Sequence, residues 1–242
     1  MNIFVLASGS KGNATAIEIS PNQYILLDQG LSLSYLLSCL RKCNIDINNI
    51  THYFFTHRHG DHVLGIDNID PNKIYSLKGT LDLPLYNYLS PYYTYDFKTF
   101  KVTPFLTSHD APCSCGYSFI INGESFFYIT DTGVIPQETI AIMHDKNYYL
   151  IEANHDCDMV LSSNRPEALK LRIIGDAGHL SNKQCVNYLN MVVGPNTKEI
   201  ILAHVSEQCN SDKKIYEAID NSFIYKDKVK ILIAKQWFVV KG

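Results

Sequence analysis

The densest group of chemically able side chains is the segment THRHGDH, which places His57, His59, Asp61 and His62 within six residues, directly after the apolar run Tyr53, Phe54 and Phe55. Imidazole and carboxylate are the ligand types that suit zinc and its divalent neighbours, and four on one loop exceed what a single open catalytic zinc requires. Two metal ions are therefore expected. On a helix His57 and His59 would face nearly opposite ways. On an extended strand exit, residues two apart share a side, so His57, His59 and Asp61 can converge, and the turn at Gly60 lets His62 join them. The plain alternative is a solvated loop that happens to be rich in histidine.

Other candidate ligands stand where apolar runs stop: Asp28 after YILL, His109 after PFLTS, Asp131 after FFYIT and His204 after IILA. Taken singly, a His or Asp that closes a strand is a turn residue. Taken together with the histidine loop, they fit the rule that ligand sites in α/β proteins collect at the carboxyl ends of strands, where residues distant in sequence can meet.

The elements that must position these residues read as strands interleaved with helices. IFVLA, TAIEI and YILL precede a helix over Leu33–Cys43; HYFF, KIYSL and a helical stretch near Leu81–Leu89 follow. The second half continues with FKTFKVTPFL, YSFIIN, SFFYIT, NYYLIEA, a helix opening at Ser181, KEIILAHV, a helix over Asp212–Asn221, VKILIA and QWFVV. Asn122-Gly123 is the clearest hairpin turn, and Gly194-Pro195 closes the helix that opens at Ser181. This grammar predicts a layered α/β protein with sheets between helices, in one domain spanning 1–242.

Composition agrees with that size and class. The chain has 242 residues, 46% hydrophobic and 19% charged, as a soluble globule requires. No apolar run is long enough to cross a membrane, and MNIFVLASGS lacks the basic start of a signal peptide, so a cytoplasmic protein without membrane association is expected. The seven cysteines are scattered without a disulfide framework; Cys113 and Cys115 are weak candidates for a soft-metal pair, and Cys39 and Cys43 read as core packing. A net charge of −3 argues against a polyanion partner, although bound divalent cations add positive charge that a residue count omits.

With these residues in view, HRHGDH resembles the signature of the metallo-beta-lactamase superfamily, and LLDQG, SHD, TDTG and AHVS resemble its other motifs in order from Asp28 to His204. The resemblance implies an αβ/βα four-layer sandwich with two central mixed β-sheets. It implies one metal held by His57, His59 and His109, another by Asp61, His62 and His204, Asp131 bridging them, and Asp28 fixing the ligand loop through hydrogen bonds. GSKGNAT, IEANHD, RIIGDAGHLSN and HVSEQCN are similar to the YycJ (WalJ) branch, nuclease-like and related to RNase Z; HVSEQCN departs from that branch's usual HLSxxNN-type ending at Cys209 and Asn210. GHLSN resembles the motif that separates phosphodiesterases from true beta-lactamases, which singles out His179.

The resemblance implies a 5′-acting DNA exonuclease with two divalent ions, zinc first and manganese as an alternative, activating water for in-line attack on phosphorus. Asp61 would ligate and accept the water's proton, and His179 would donate to the leaving oxygen or stabilise its charge. The alternative is hydrolysis of a small ester, thioester, lactone or small phosphodiester on the same site. Only 21 residues separate His109 from Asp131 and 72 separate Asp131 from His204, too few for a long tRNA-gripping arm or an inserted second domain. Lys11, Arg58, Lys170, Arg172 and Lys183 flank the motifs as candidate phosphate contacts, each equally readable as a solvated charge. For His155 substrate contact, support of a ligand and capping of a turn stay open, and His52 and His144 receive no role. The tyrosine-rich PYYTY at 91–95 reads as core rather than base stacking.

Overall fold

The computed structural model describes residues 1–236 and 239–242. The first half supplies β1 (Ile3–Ala7), β2 (Ala14–Ser20), β3 (Gln23–Leu27), α1 (Leu33–Lys42), β4 (Ile50–Phe54), α2 (Gly60–Val63), β5 (Ile74–Leu77) and β6 (Asn87–Leu89). The second supplies β7 (Tyr95–Asp96), β8 (Phe100–Leu106), β9 (Cys115–Ile121), β10 (Glu124–Ile129), α3 (Gln137–Met143), β11 (Tyr148–Glu152), α4 (Cys157–Ser162), α5 (Glu167–Ile174), α6 (Asn182–Val192), β12 (Glu199–Ala203), α7 (Asp212–Ser222), β13 (Lys230–Ile233) and β14 (Val240–Lys241).

These strands form two seven-stranded mixed sheets, ordered β14-β1-β2-β3-β4-β5-β6 and β13-β12-β11-β10-β9-β8-β7. Side-chain alternation assigns the layers. Ile25 and Leu27 face the other sheet, while Tyr24 and Leu26 face α1 with Leu36, Cys39 and Leu40. On β10, Phe126 and Tyr128 enter the same central layer; Phe127 and Ile129 turn outward to α6 and α7, against Leu189, Val192, Ile215 and Ile219. The result is the expected four-layer αβ/βα sandwich. Phe54, at the end of β4, is fully buried in the central layer and makes edge contacts with Tyr117 and Phe119 of the opposite sheet. Deleting such a ring costs on the order of 3–5 kcal/mol.

Two local readings change, and a third falls partly outside the described residues. The stretch Leu81–Leu89 is a turn region followed by β6, not a helix, because Pro84 removes a helical donor and disfavours the helical conformation of Leu83 before it. Helices α3, α4 and α5 occupy segments whose short, mixed patterns carry little periodicity. The final QWFVV run includes Trp237 and Phe238, which lie outside the described residues; Val240 begins β14. Elsewhere the turn chemistry acts as expected: Asn122 and Gly123 take φ of 51° and 80° between β9 and β10, and Ser181 caps α6 in a capping box with Gln184. Residues 110–130 are thus spent on the β9–β10 hairpin and its approach, leaving no arm. No helix among the described residues is long and apolar enough to cross a membrane.

Candidate metal centre

The site gathers at one edge of both sheets. Strands β3 and β4 run parallel in one sheet, and β10, β11 and β12 run parallel in the other. Asp28 follows β3 directly, Asp131 closes the exit of β10 and His204 follows β12, with φ of 56°, 53° and 51°. Left-handed backbone at a non-glycine residue costs about 1–3 kcal/mol and persists where the surroundings impose it. At these three strand ends the turn carries Asp131 and His204 into one cleft and sets Asp28 behind it, against His62. His57 follows the end of β4, His59 is the extended N-terminal flank of α2, and the single turn Gly60–Val63 brings His62 back toward Asp28. This loop is pinned by hydrogen bonds from Asn13 N to Asp61 O (2.8 Å) and from Gln29 N to His62 O (2.8 Å). The packing is so close that a Cβ on Gly30 would stand 1.6 Å from Asp61 O, so only glycine fits.

The cleft, with a volume of about 380 Å³, is lined by His59, Asp61, His109, Asp131, His179 and His204 among others. Ligand-type atoms within 4.8 Å of one another form overlapping sets: His57, His59 and His109; Asp61, His62 and His204; His57, His62 and Asp131; and Asp131, Glu152, His179 and His204. Asp131 lies between the first two sets, with Oδ1 3.8 Å from His109 Nε2 and 3.5 Å from His204 Nε2, and Oδ2 3.2 Å from His62 Nε2. His57 Nε2, His204 Nε2 and Asp131 Oδ2 are buried without a hydrogen-bond partner. The 3.2 Å approach of His62 to Asp131 Oδ2 lacks the alignment of a hydrogen bond, so that oxygen remains unsatisfied. Orphaned acceptors and imidazole nitrogens facing one another at this spacing fit divalent cations, which would use those lone pairs.

The imidazoles are held from behind. Asp28, itself buried, accepts from Thr56 N (2.8 Å) and Tyr128 Oη (3.1 Å) and meets His62 Nδ1 at 2.8 Å. Glu152, at the end of β11 and fully buried, meets His204 Nδ1 and His179 Nδ1, each at 2.8 Å, and accepts from Thr132 N and Leu180 N. His57 Nδ1 is 3.0 Å from Thr56 Oγ1, and His109 Nδ1 is 3.2 Å from Gly178 O.

Electrostatics follow this layout. Burial, then the neighbouring His62, holds the His57 pKa well below its ordinary value. Burial pushes His204 the same way, but Asp131, Asp61 and Glu152 outweigh it and raise the pKa to about 10. His62 likewise overcomes its burial through Asp28, Asp131 and Asp61 and is raised well above the ordinary range. Burial opposes ionisation of Glu152, yet His179 and His204 bring it down to about 2. His179 is raised despite burial, chiefly by Glu152, which favours a protonated ring at the cleft wall. In the metal-free state protons on His62 and His204 thus supply the positive charge the carboxylates demand, and a bound cation would displace them.

The structure brings His57, His59, Asp61, His62, His109, Asp131, His204 and His179 together at this edge, with Asp28 behind them. Other candidates go elsewhere. Cys115 is buried with its thiol against Phe55 O and Cys113 is exposed, so the pair does not form a soft-metal site. Of the flanking cations, Arg172 alone lines this cleft, tied to Asp110 by an ion pair; Lys11 pairs with Glu207, Arg58 with Asp82, Lys170 donates to Leu161 O, and Lys183 lines a separate cavity. His155 is 1% exposed and lines that second cavity. His52 packs in an aromatic cluster with Tyr75, Phe97 and Phe100. Sequence reasoning missed Glu152, whose role rests on two histidines distant in the chain. The available cue was a lone carboxylate closing the apolar run NYYLIE.

Known proteins resemble this chain over most of its length. Residues 23–205 match the family described as the beta-lactamase superfamily domain. The chain is 30% identical over 238 residues to the exodeoxyribonuclease WalJ of Streptococcus pneumoniae, covering 92% of this chain and 88% of that protein. It is 29% identical over 227 residues to the exodeoxyribonuclease YycJ of Bacillus anthracis, covering 85% and 83%. Among solved structures, the metallo-beta-lactamase fold protein YhfI from Bacillus subtilis superposes with a TM-score of 0.72 over 100% of this chain and 99% of its own, at 14% identity, which bears on the fold alone. The chain therefore belongs to the metallo-beta-lactamase superfamily, in its YycJ/WalJ-like branch, a fold that goes with divalent metal ions.

Proposed function

We propose that this protein is a metal-dependent phosphodiesterase that degrades DNA from a 5′ end, with the whole of 1–242 acting as one domain in the cytoplasm. The observation that carries the reading is the pair of overlapping donor sets joined by Asp131, whose facing atoms on His57, His204 and Asp131 are buried and unsatisfied. His57, His59 and His109 would hold one ion, Asp61, His62 and His204 the other, and Asp131 would serve both. Zinc suits this nitrogen-rich set best, with manganese as the alternative. Such ions, when bound, supply Lewis acidity that activates water near neutral pH and offsets phosphate charge.

The protein's own groups divide the remaining work. Asp61, 24% exposed at the cleft floor, is placed to accept a proton from water. His179, held by Glu152 and raised in pKa, is placed to donate one to the departing oxygen. Asp28 and Glu152 fix the rings of His62, His204 and His179, so the donors need not reorganise as charge develops. The names of the relatives support DNA as substrate.

Strands labelled at the 5′ or the 3′ end, incubated with purified protein with and without chelator, test the reading. Metal-dependent release of mononucleotides from the 5′ end is expected. Hydrolysis of thioesters or lactones with no cleavage of DNA or RNA would replace it.

A further inference from the structure

Arg165 is the anomalous charge of the cleft. It lies between α4 and α5, just before Pro166, and lines the same cavity as Asp61, His179 and His204. Its one side-chain hydrogen bond among the described residues runs from Nη2 to Gln208 Oε1 (3.0 Å), a neutral partner, and its Nε is buried without any partner. No carboxylate pairs with it among the described residues. Arg172, which lines the same cavity, is by contrast neutralised by Asp110. A partly buried guanidinium without a counter-anion is costly, and the planar fork of arginine matches phosphate oxygens.

Position narrows the ligand. Gln208, Ser206 and Cys209 belong to the loop that leaves β12 through His204, so Arg165 is tied to the His204 side of the cleft rather than to the His59 and His109 side, where Arg172 and Asp110 stand. The backbone of Arg165 is itself anchored, its N–H donating to Ser163 Oγ (3.4 Å). The Arg165 fork is held by the loop after His204 and not by a member of either donor set, and a strand carries a further phosphate one nucleotide from the scissile one for it to meet.

We infer that Arg165 forms a binding subsite for the phosphate neighbouring the scissile one, on the His204 side, and so sets the preference for a polynucleotide over an isolated phosphodiester. The inference rests on the phosphodiesterase reading above. It also answers the net charge of −3, since the needed positive charge is local.

The test moves a neutral methylphosphonate linkage along a DNA strand and measures kcat/KM for the metal-loaded wild type, Arg165→Ala and Arg165→Lys. In the wild type one linkage adjacent to the cleavage site should cost about tenfold or more. In Arg165→Ala that position should cost nothing further, and the dependence of log kcat/KM on log salt should flatten by about one. Arg165→Lys, which keeps the charge without the fork, should fall between and guards against a fold defect in the alanine variant. Additive losses at every position overturn the subsite while leaving the nuclease intact; a wild type that cleaves no strand overturns both.

Discussion

The two donor sets share Asp131 but are supported differently. Behind Asp61, His62 and His204 stand two buried carboxylates, Asp28 on His62 and Glu152 on His204. Behind His57 and His109 stand a hydroxyl and a carbonyl, while the 33% exposed His59 faces a partly exposed carboxylate, Asp110 Oδ1, at 3.8 Å, beyond hydrogen-bond reach. A buried carboxylate hydrogen-bonded to the far nitrogen of an imidazole raises its basicity and fixes its ring, so the set of Asp61, His62 and His204 should hold its ion more tightly than that of His57, His59 and His109. The lesson is that a symmetric-looking motif, HxHxDH, is embedded in an asymmetric scaffold, and that the asymmetry lives in residues outside the motif.

Asp61→Ala should have the largest effect, because on the proposed reading it would remove a ligand and the proton acceptor together: about 10⁴-fold lower phosphodiester cleavage, measured at saturating metal. Activity within tenfold of wild type would show that the tightly supported set is not where the proton goes. Next in size, chelator challenge should release metal in two phases. His59→Asn should abolish the fast phase, while Asp28→Asn should weaken the slow one by about 10- to 100-fold. A fast phase that responds to Asp28→Asn instead would invert the comparison.

The same asymmetry predicts a pH dependence. His204 has its pKa raised to about 10 in the folded, metal-free protein, against roughly 6.5 unfolded. The stabilisation from its proton is fully present below pH 6.5 or so and is lost as the pH rises toward 10. Metal-free protein should therefore melt at progressively lower temperature across that window, and saturating zinc should remove most of the slope, since the metal then replaces the proton. Flat melting temperatures for the metal-free protein would contradict the charge assignment. Smallest of all, Ser181→Ala should cost about 1 kcal/mol of stability by uncapping α6, read from denaturant unfolding, with His179 still held by Glu152.

How far the sequence carried depended on whether a residue's meaning was local. Asp28, Asp131 and His204 were legible because each sits where an apolar run stops, and the structure shows the matching backbone turn at each. The hairpin at Asn122-Gly123 and the cap at Ser181 are likewise local chemistry. Glu152 was not legible, because its partners His179 and His204 lie 27 and 52 positions away. Arg165 sits in a polar connector, and only the fold shows that no carboxylate among the described residues pairs with it. Leu81–Leu89 misled for the opposite reason: its leucine spacing imitates a helix face, but Pro84 and the edge of a sheet decide its conformation.

The central claim, that two unequal sites act together on phosphodiesters, is tested most directly by titrating metal-free protein with zinc while following cleavage of a 5′-labelled DNA strand and counting bound metal. The account predicts little cleavage at the first equivalent, which fills the set backed by Asp28 and Glu152, and full activity only as the second binds. Full activity at one equivalent, or with none, would contradict it.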